Sequence, residues 1–289
     1  MKLSRGFFHK TWDLAFVKGG MDALFSDESF DVDVVENPFK DRWFADPFVL
    51  DVSDDKIFVL AEEFCYSLGK GRVAKLTIDR RTMTIEQYTI LLECPTHISF
   101  PNILRTEGKL YVYPENCRSG ELDIYEYDME QESLVAPKKI CNDGLWDASI
   151  ANVFGKRKLF GGCQSDYYLD VYDWDESLQV FVPVQSIESK QKDNRLAGSV
   201  FVYKDEVYCP TQDCTQGYGG GVWLKKMVQE DGGLRLVPVK KLTPPAKYKK
   251  LGMHTLNEYK GLVIIDLKDW KHPLAGRIYN TYKYITGKK

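Results

Sequence analysis

Asp46, in Ala45-Asp46-Pro47, and Asp147, in Trp146-Asp147-Ala148, are the residues whose type and placement first suggest chemistry. Each opens a run with the makings of a strand, Pro47–Leu50 and Ala148–Val153. His254, in Gly252-Met253-His254-Thr255, stands at another such start. Two carboxylates and an imidazole facing one cavity suit the chemistry of a glycosidic bond. One carboxylate activates water or an acceptor hydroxyl. Another group, its pKa held up by its surroundings, protonates the departing oxygen.

Residues this far apart need a repeating architecture to meet. Five segments start alike: Trp43–Leu50, His97–Leu104, Trp146–Val153, Arg195–Val202 and Gly252–Leu256. From Asp46 to Pro101, Asp147, Gly198 and His254 the successive steps are 55, 46, 51 and 56 residues. A second strand follows each start after a turn: Lys56–Leu60, Lys109–Tyr113, Lys158–Phe160, Glu206–Tyr208 and Gly261–Ile265. Third strands fit Gly71–Ile78, Leu122–Tyr127, Tyr168–Tyr172 and Gly221–Leu224, and fourth strands fit Tyr88–Leu92 and Phe181–Val184. Four strands in about 50 residues is the unit of a propeller blade. The chain is therefore read as all-β, a single five-bladed β-propeller domain over residues 1–289, with blades starting near 46, 100, 147, 198 and 254. A two-sheet sandwich is the competing architecture. Residues 1–42 and 271–289 make no clean unit, and one of them is expected to supply a strand that closes the ring onto the last blade. A propeller sets the first strand of every blade around its axis. Asp46, Phe100, Asp147, Ala197 or Gly198, and His254 then converge on one funnel.

The 289 residues carry a formal net charge of -3, so no broad basic field invites nucleic acid. With 44% hydrophobic and 28% charged residues the chain reads as soluble and globular, and its 13% aromatic content suits both strands and sugar stacking. The seven cysteines form no CxxC pair and are odd in number, against a disulfide framework or a structural zinc. There is no apolar leader at Met1–Lys10 and no run of 18 apolar residues, so a cytoplasmic protein without a membrane span is expected. Gly217-Tyr218-Gly219-Gly220-Gly221 lacks the Lys and helix of a phosphate loop and reads as a turn between strands.

The motifs Ala45-Asp46-Pro47, Trp146-Asp147-Ala148-Ser149-Ile150 and Gly252-Met253-His254-Thr255 resemble the five-bladed propellers of glycoside hydrolase family 43 and its relatives. The resemblance implies that Asp46 is the general base, that Asp147 orients the acid and tunes its pKa, and that His254 faces a central metal ion, commonly Ca2+. No cofactor is otherwise implied. Ala197 stands where that family carries its general acid, which leaves Glu115, in Pro114-Glu115-Asn116, or Asp213, in Gln212-Asp213-Cys214, as replacements, with the Glu62-Glu63 pair as a further source. The ordered series Trp43–Phe48, Glu62-Glu63, His97–Pro101, Pro114-Glu115, Arg195–Gly198, Gln212–Cys214, Tyr218-Gly219 and His254-Thr255 is similar to a subgroup of that superfamily. This subgroup includes the propeller region of glucosamine inositolphosphorylceramide transferases and bacterial proteins joined to formyltransferase-like domains. It implies glycan or glycolipid assembly. Expected substrate-binding residues are Glu63, His97, Arg195, Gln212, Trp43 and Tyr218. Glu62 and Glu63 alternate across a strand, so at most one faces the funnel.

Three functions compete on this reading. The first is an enzyme acting on a glycosidic bond. The second is a transferase using an activated sugar donor, with Arg195 and Lys247–Lys250 steadying phosphate. The third is a propeller that binds glycan without turnover. The partner in all three is a carbohydrate, and oligomeric state is left open.

Overall fold

Two-residue turns in which both φ angles are positive fold the chain back on itself at Glu107-Gly108, Phe154-Gly155, Lys204-Asp205, Asp231-Gly232 and Lys260-Gly261. Such turns match the twist of a tight hairpin, and glycine supplies the second position cheaply. A computed structural model describes residues 9–273, 275 and 276, and the rest of the two terminal segments lies outside the described residues. In chain order the elements are β1 (Lys10–Val17), helix α1 (Gly20–Phe25), β2 (Val32–Val34), β3 (Arg42–Val52), β4 (Lys56–Cys65), β5 (Lys70–Asp79), β6 (Thr84–Leu92), β7 (Ser99–Thr106), β8 (Lys109–Glu115), β9 (Leu122–Asp128), β10 (Ser133–Cys141), β11 (Trp146–Val153), β12 (Lys156–Gly162), β13 (Tyr168–Asp175), β14 (Val180–Glu188), β15 (Phe201–Tyr203), β16 (Glu206–Gln212), β17 (Val222–Glu230), β18 (Gly233–Leu242), β19 (Leu256–Tyr259) and β20 (Leu262–Trp270).

The fold is all-β and propeller-like. Sheets run β3-β4-β5-β6 and β15-β16-β17-β18, and an eight-stranded sheet joins β7–β10 to β11–β14. That junction is a single parallel pairing, Cys141 with Phe181. The remaining sheet runs β19-β20-β1-β2, so the start of the chain pairs with its last long strand, as the terminal segments led us to expect. Middle strands such as β4 and β5 are buried along most of their length because sheets cover both faces, whereas outer β6 is largely open. Apolar clusters fill the spaces between neighbouring sheets. One sets Leu14, Val59, Leu76 and Ile264 together, and another sets Leu24 of α1 against Leu224, Met253 and Ile265.

The inner strands share one irregularity. Their register shifts between Ala45 and Phe48, between Ser99 and Asn102, and between Trp146 and Ser149. The bulged residues Asp46, Phe100 and Asp147 have φ of 49°, 44° and 47°. A bulge re-aims a side chain, and non-glycine residues at positive φ mark positions that the surroundings must hold. Hydrogen bonds then link one inner strand to the next: Phe100 N to Asp46 Oδ2, Asn102 Nδ2 to Ala148 O, Val200 N to Ser149 Oγ, Ser199 N to Asn257 Oδ1, and Asn257 Nδ2 to Pro47 O.

Gly198 occupies the matching place in the fourth repeat, at φ 153°. A Cβ there would lie 1.9 Å from Leu256 O. Gly198→Ala is therefore expected to destabilise the fold by about 3 kcal/mol or more. Urea unfolding measures this, and wild-type stability in the variant would show that the inner strands are not so tightly apposed.

Candidate active site

The bulges of β3 and β11 turn Asp46 and Asp147 toward the axis, and both are buried. Asp46 Oδ2 accepts Phe100 N at 3.2 Å, and its Oδ1 accepts Thr255 Oγ1 at 2.7 Å. Asp147 Oδ2 accepts Arg195 Nε at 2.5 Å and Gln212 Nε2 at 2.8 Å. Gln212 is itself fixed by donating to Leu196 O. Glu115 closes β8 beside this group. Its Oε2 accepts the Asp147 backbone N–H at 3.1 Å and lies 3.5 Å from Arg195 Nη2.

A second knot holds Asp46 from the last sheet. Asp266, fully buried on β20, accepts four N–H donors: His254 N and Thr255 N on Oδ1, and Asp46 N and His254 Nδ1 on Oδ2, the last at 2.6 Å. His254 Nε2 lies 3.7 Å from Asp46 Oδ1. The imidazole stacks on Trp12 at 3.8 Å, with Tyr218 edge-on at 5.1 Å.

These surroundings push the carboxyl groups apart in acidity. Burial raises Asp46 to about 6; the His254 charge opposes this, and Asp147 and Asp266 add to it. Burial and then the Asp147 charge raise Glu115 to about 8, although Arg195 opposes. Of the two, Asp46 is thus the more readily ionised and suited to take a proton, and Glu115 the more readily kept protonated and suited to give one. Glu62 is also raised well above the ordinary glutamate value, by burial first and then by Asp46, Glu115, Asp266 and Asp147. Burial alone would lower His254, but Asp266 and Asp46 raise it.

A family model described as glucosamine inositolphosphorylceramide transferase 1, N-terminal, matches residues 31–231. The chain belongs to this family. Glucosamine inositolphosphorylceramide transferase 1 of Oryza sativa subsp. japonica is 26% identical over 205 residues, which are 66% of this chain and 27% of that protein. Its namesake in Arabidopsis thaliana is 25% identical over 196 residues, 64% of this chain and 26% of that protein. The chain so spans about a quarter of the length of these relatives. Among solved structures, a thermostable family-43 glycoside hydrolase superposes with a TM-score of 0.57 at 13% identity, covering 83% of this chain and 88% of that one. A β-xylosidase gives 0.56 at 12% identity, covering 80% and 93%. At such identities the likeness is one of fold. Within the family match lie Asp46, Glu62, Glu115, Asp147, Arg195 and Gln212, whereas Trp12, His254 and Asp266 lie outside it.

The family member's axial group brings together Asp46, Asp147, Glu115, Arg195, Gln212 and His254. Tyr218 joins them, its hydroxyl within the field of Arg195, Asp46, Asp147 and Glu62 while 45% of the residue stays exposed. The other expected residues have partners of their own. Glu63, not Glu62, is the member of its pair turned away from the axis. Its carboxylate is clamped by Arg42 Nη1 at 2.6 Å and Arg72 Nε at 2.9 Å. Asp213 differs from Glu115 in its surroundings. Burial would raise it, but Lys241 and Thr215 bond its oxygens and hold it below the usual carboxylate range. Trp43 lies flat on Phe64 at 4.8 Å. His97 accepts Gly71 N on Nδ1, and its Nε2 sits 3.3 Å from Glu62 Oε1 without the alignment of a hydrogen bond. The residues expected to steady phosphate are already engaged. Arg195 pairs with Asp147, Lys247 with Asp31, and Lys250 with Asp13 and Asp269.

Sequence reasoning passed over Asp266 and Trp12. The signal for Asp266 was one carboxylate interrupting the apolar run Leu262–Leu267. Asp46, His254 and Asp266 each offer a donor atom within 4.8 Å of the others. Ca2+ takes six to eight oxygens, typically. Here it would meet one imidazole and two carboxylates already satisfied by N–H and O–H donors, so the set does not fit Ca2+, and no step is routed through a metal. A cleft of about 620 Å3 between Leu104, Ile150, Trp174 and Phe181 does not include the axial carboxylates. Among the described residues no helix is long and apolar enough to cross a membrane.

Proposed function

We propose that the chain is a single five-bladed β-propeller whose axial site makes or breaks a glycosidic bond by general acid–base catalysis. The five-blade reading is supported by the five four-stranded groupings and by hydrogen bonds that pass from each inner strand to the next and return to Pro47. The catalytic reading is carried by one observation: Asp46, Asp147 and Glu115 are buried together at the axis, with Glu115 on the Asp147 N–H and Asp147 held by Arg195 and Gln212, and burial there raises Asp46 and Glu115 to different extents. Asp46 takes the proton of the attacking hydroxyl as its oxygen bonds to the anomeric carbon. The bond from that carbon to the leaving oxygen breaks, and Glu115 gives that oxygen its proton. Asp147, clamped by Arg195 and Gln212, keeps Glu115 oriented through its backbone N–H and protonated through its charge. Glu115 so fills the role left open at Ala197.

The curated relatives are named transferases, which favours an acceptor hydroxyl over water as the nucleophile. Proton NMR of products from a panel of glycosides and glycosyl phosphates, with and without alcohol acceptors, tests both readings. Asp46→Asn is expected to lower turnover by about 10²-fold or more in either case. Glycan binding without any product, unchanged in Asp46→Asn, would make the site one of recognition only.

A further inference from the structure

The axial group is continuous with a face of the last sheet that has its own chemistry. Strands β1 and β20 are antiparallel, with Lys10 opposite Trp270, Trp12 opposite Lys268 and Leu14 opposite Asp266. Opposed residues, and residues two apart on one strand, project to the same side. Lys10, Trp12, Lys268 and Trp270 therefore alternate on one face, and the next residue inward on β20 is Asp266, which holds His254 and Asp46. Trp12 stacks on His254. Lys10 Nζ stands 3.0 Å above the Trp270 ring. Lys268 Nζ donates to Tyr218 O and lies 5.7 Å from the rings of both Trp12 and Tyr218.

Neither lysine has a carboxylate partner among the described residues, whereas Lys241 and Lys250 nearby are paired with Asp213 and with Asp13 and Asp269. The two cations also repel. Burial and then the charge of Lys268 push Lys10 down to about 8, although Asp269 opposes, and burial lowers Lys268. Like charges held side by side on a half-buried sheet face are destabilising unless an anion lies against them. Beside Lys268 opens a cleft of about 360 Å3, bordered by Tyr218, the Gly217–Gly220 turn, Thr243 and the paired Asp213 and Lys241, with Lys10 and Trp12 next to it rather than in its lining. A flexible ammonium suits phosphate as a point charge, and the part-exposed ring of Tyr218 offers a face for a sugar, while Trp12 is buried against His254.

We propose that Lys10 and Lys268, flanked by Trp12 and Tyr218, form a subsite for the phosphate group of a phosphorylated sugar, placed beside the axial carboxylates. The subsite rests on the glycosidic reading only for what it delivers; its anion binding stands on the lysines themselves. Such a phosphate belongs either to a donor, on the anomeric carbon, or to an acceptor, on another carbon.

The test is calorimetric titration of the full chain with glucose 1-phosphate, glucose 6-phosphate and glucose. At least one phosphate is expected to bind more tightly than glucose, and the tighter one assigns the subsite to donor or acceptor. Lys10→Gln and Lys268→Gln should each weaken that phosphate by about tenfold and leave glucose unchanged, while Lys268→Arg should retain it. Glu115→Gln should bind the phosphate as wild type does. If Glu115→Gln also kept full turnover, the catalytic reading would fail and the anion site would stand. Equal affinity for glucose and both phosphates, or undiminished phosphate affinity in a correctly folded double Lys→Gln variant, overturns the proposal.

Discussion

Glu115→Gln should stop turnover of a substrate with a poor leaving group while leaving that substrate bound. The amide keeps the shape and can still accept the Asp147 N–H, but it has no acidic proton to give. General acid catalysis is worth about 10²–10⁴-fold, so the loss should fall in that range. An aryl glycoside whose phenolate departs unaided should lose far less. The pH profile gives an independent reading. On the roles proposed for the cluster, activity needs Asp46 ionised, so it should rise as pH passes about 6. It also needs Glu115 protonated, so it should fall as pH passes about 8. In Glu115→Gln the residual activity should keep the acid limb and lose the alkaline one. Because the carboxyl groups interact, both limbs belong to the cluster and not to single residues. An alkaline limb that survives the substitution would move the acid role elsewhere, and Glu62, also held above the ordinary glutamate range by burial, would be the first residue to examine.

Much of this site could be read from the chain, because the repeat put like residues at like places. Asp46 and Asp147 share a position in the repeat, and the structure gives them the same bulge and nearly the same φ. Glu115 was legible only as one of several acids at the ends of second strands, one step outward from the axis; what sets it apart is the Asp147 N–H that its carboxyl accepts. The choice between Glu62 and Glu63 was not legible. Alternation separates two faces of a strand, but it names the axial face only when the other face meets water. Both are buried here, and Arg42 and Arg72 make the second face hospitable to a carboxylate. The partner of Asp213 was not legible, because Lys241 is 28 residues further along the chain and meets it only through the pairing of β17 with β18. Asp266 was hidden in an apolar strand. Its role depends on donors from β3 and from the Met253–Thr255 segment, which no local pattern announces.

Asp266 is also where the largest effect on stability is expected. Its carboxylate gathers three backbone N–H groups and the His254 ring, all out of water. Asp266→Asn puts an amide NH2 where donors already point and leaves the imidazolium without its counter-charge. Removing one member of a buried pair typically costs about 3–5 kcal/mol, and urea unfolding at a pH between the ordinary values of 3.8 for aspartate and 6.5 for histidine should show a loss of that size. The pair also fixes how stability follows pH. The folded-state value of Asp266 is lowered: burial opposes ionisation, but His254 and the backbone donors outweigh it. Its contribution is therefore complete above the ordinary aspartate value of 3.8 and fades as pH falls through the lower folded value. His254 is raised above 6.5, so its contribution is complete below that value and fades as pH climbs through the folded one. Between those limits the pair contributes fully, and Asp266→Asn should flatten both edges. His254→Gln should remove the alkaline edge and weaken the acid one, because Asp266 keeps its three backbone donors but loses the imidazole that does most to lower it. Equal stability of Asp266→Asn and wild type across that window would sink the account. Such a result would also loosen the case for Asp46, whose backbone N–H rests on the same carboxylate.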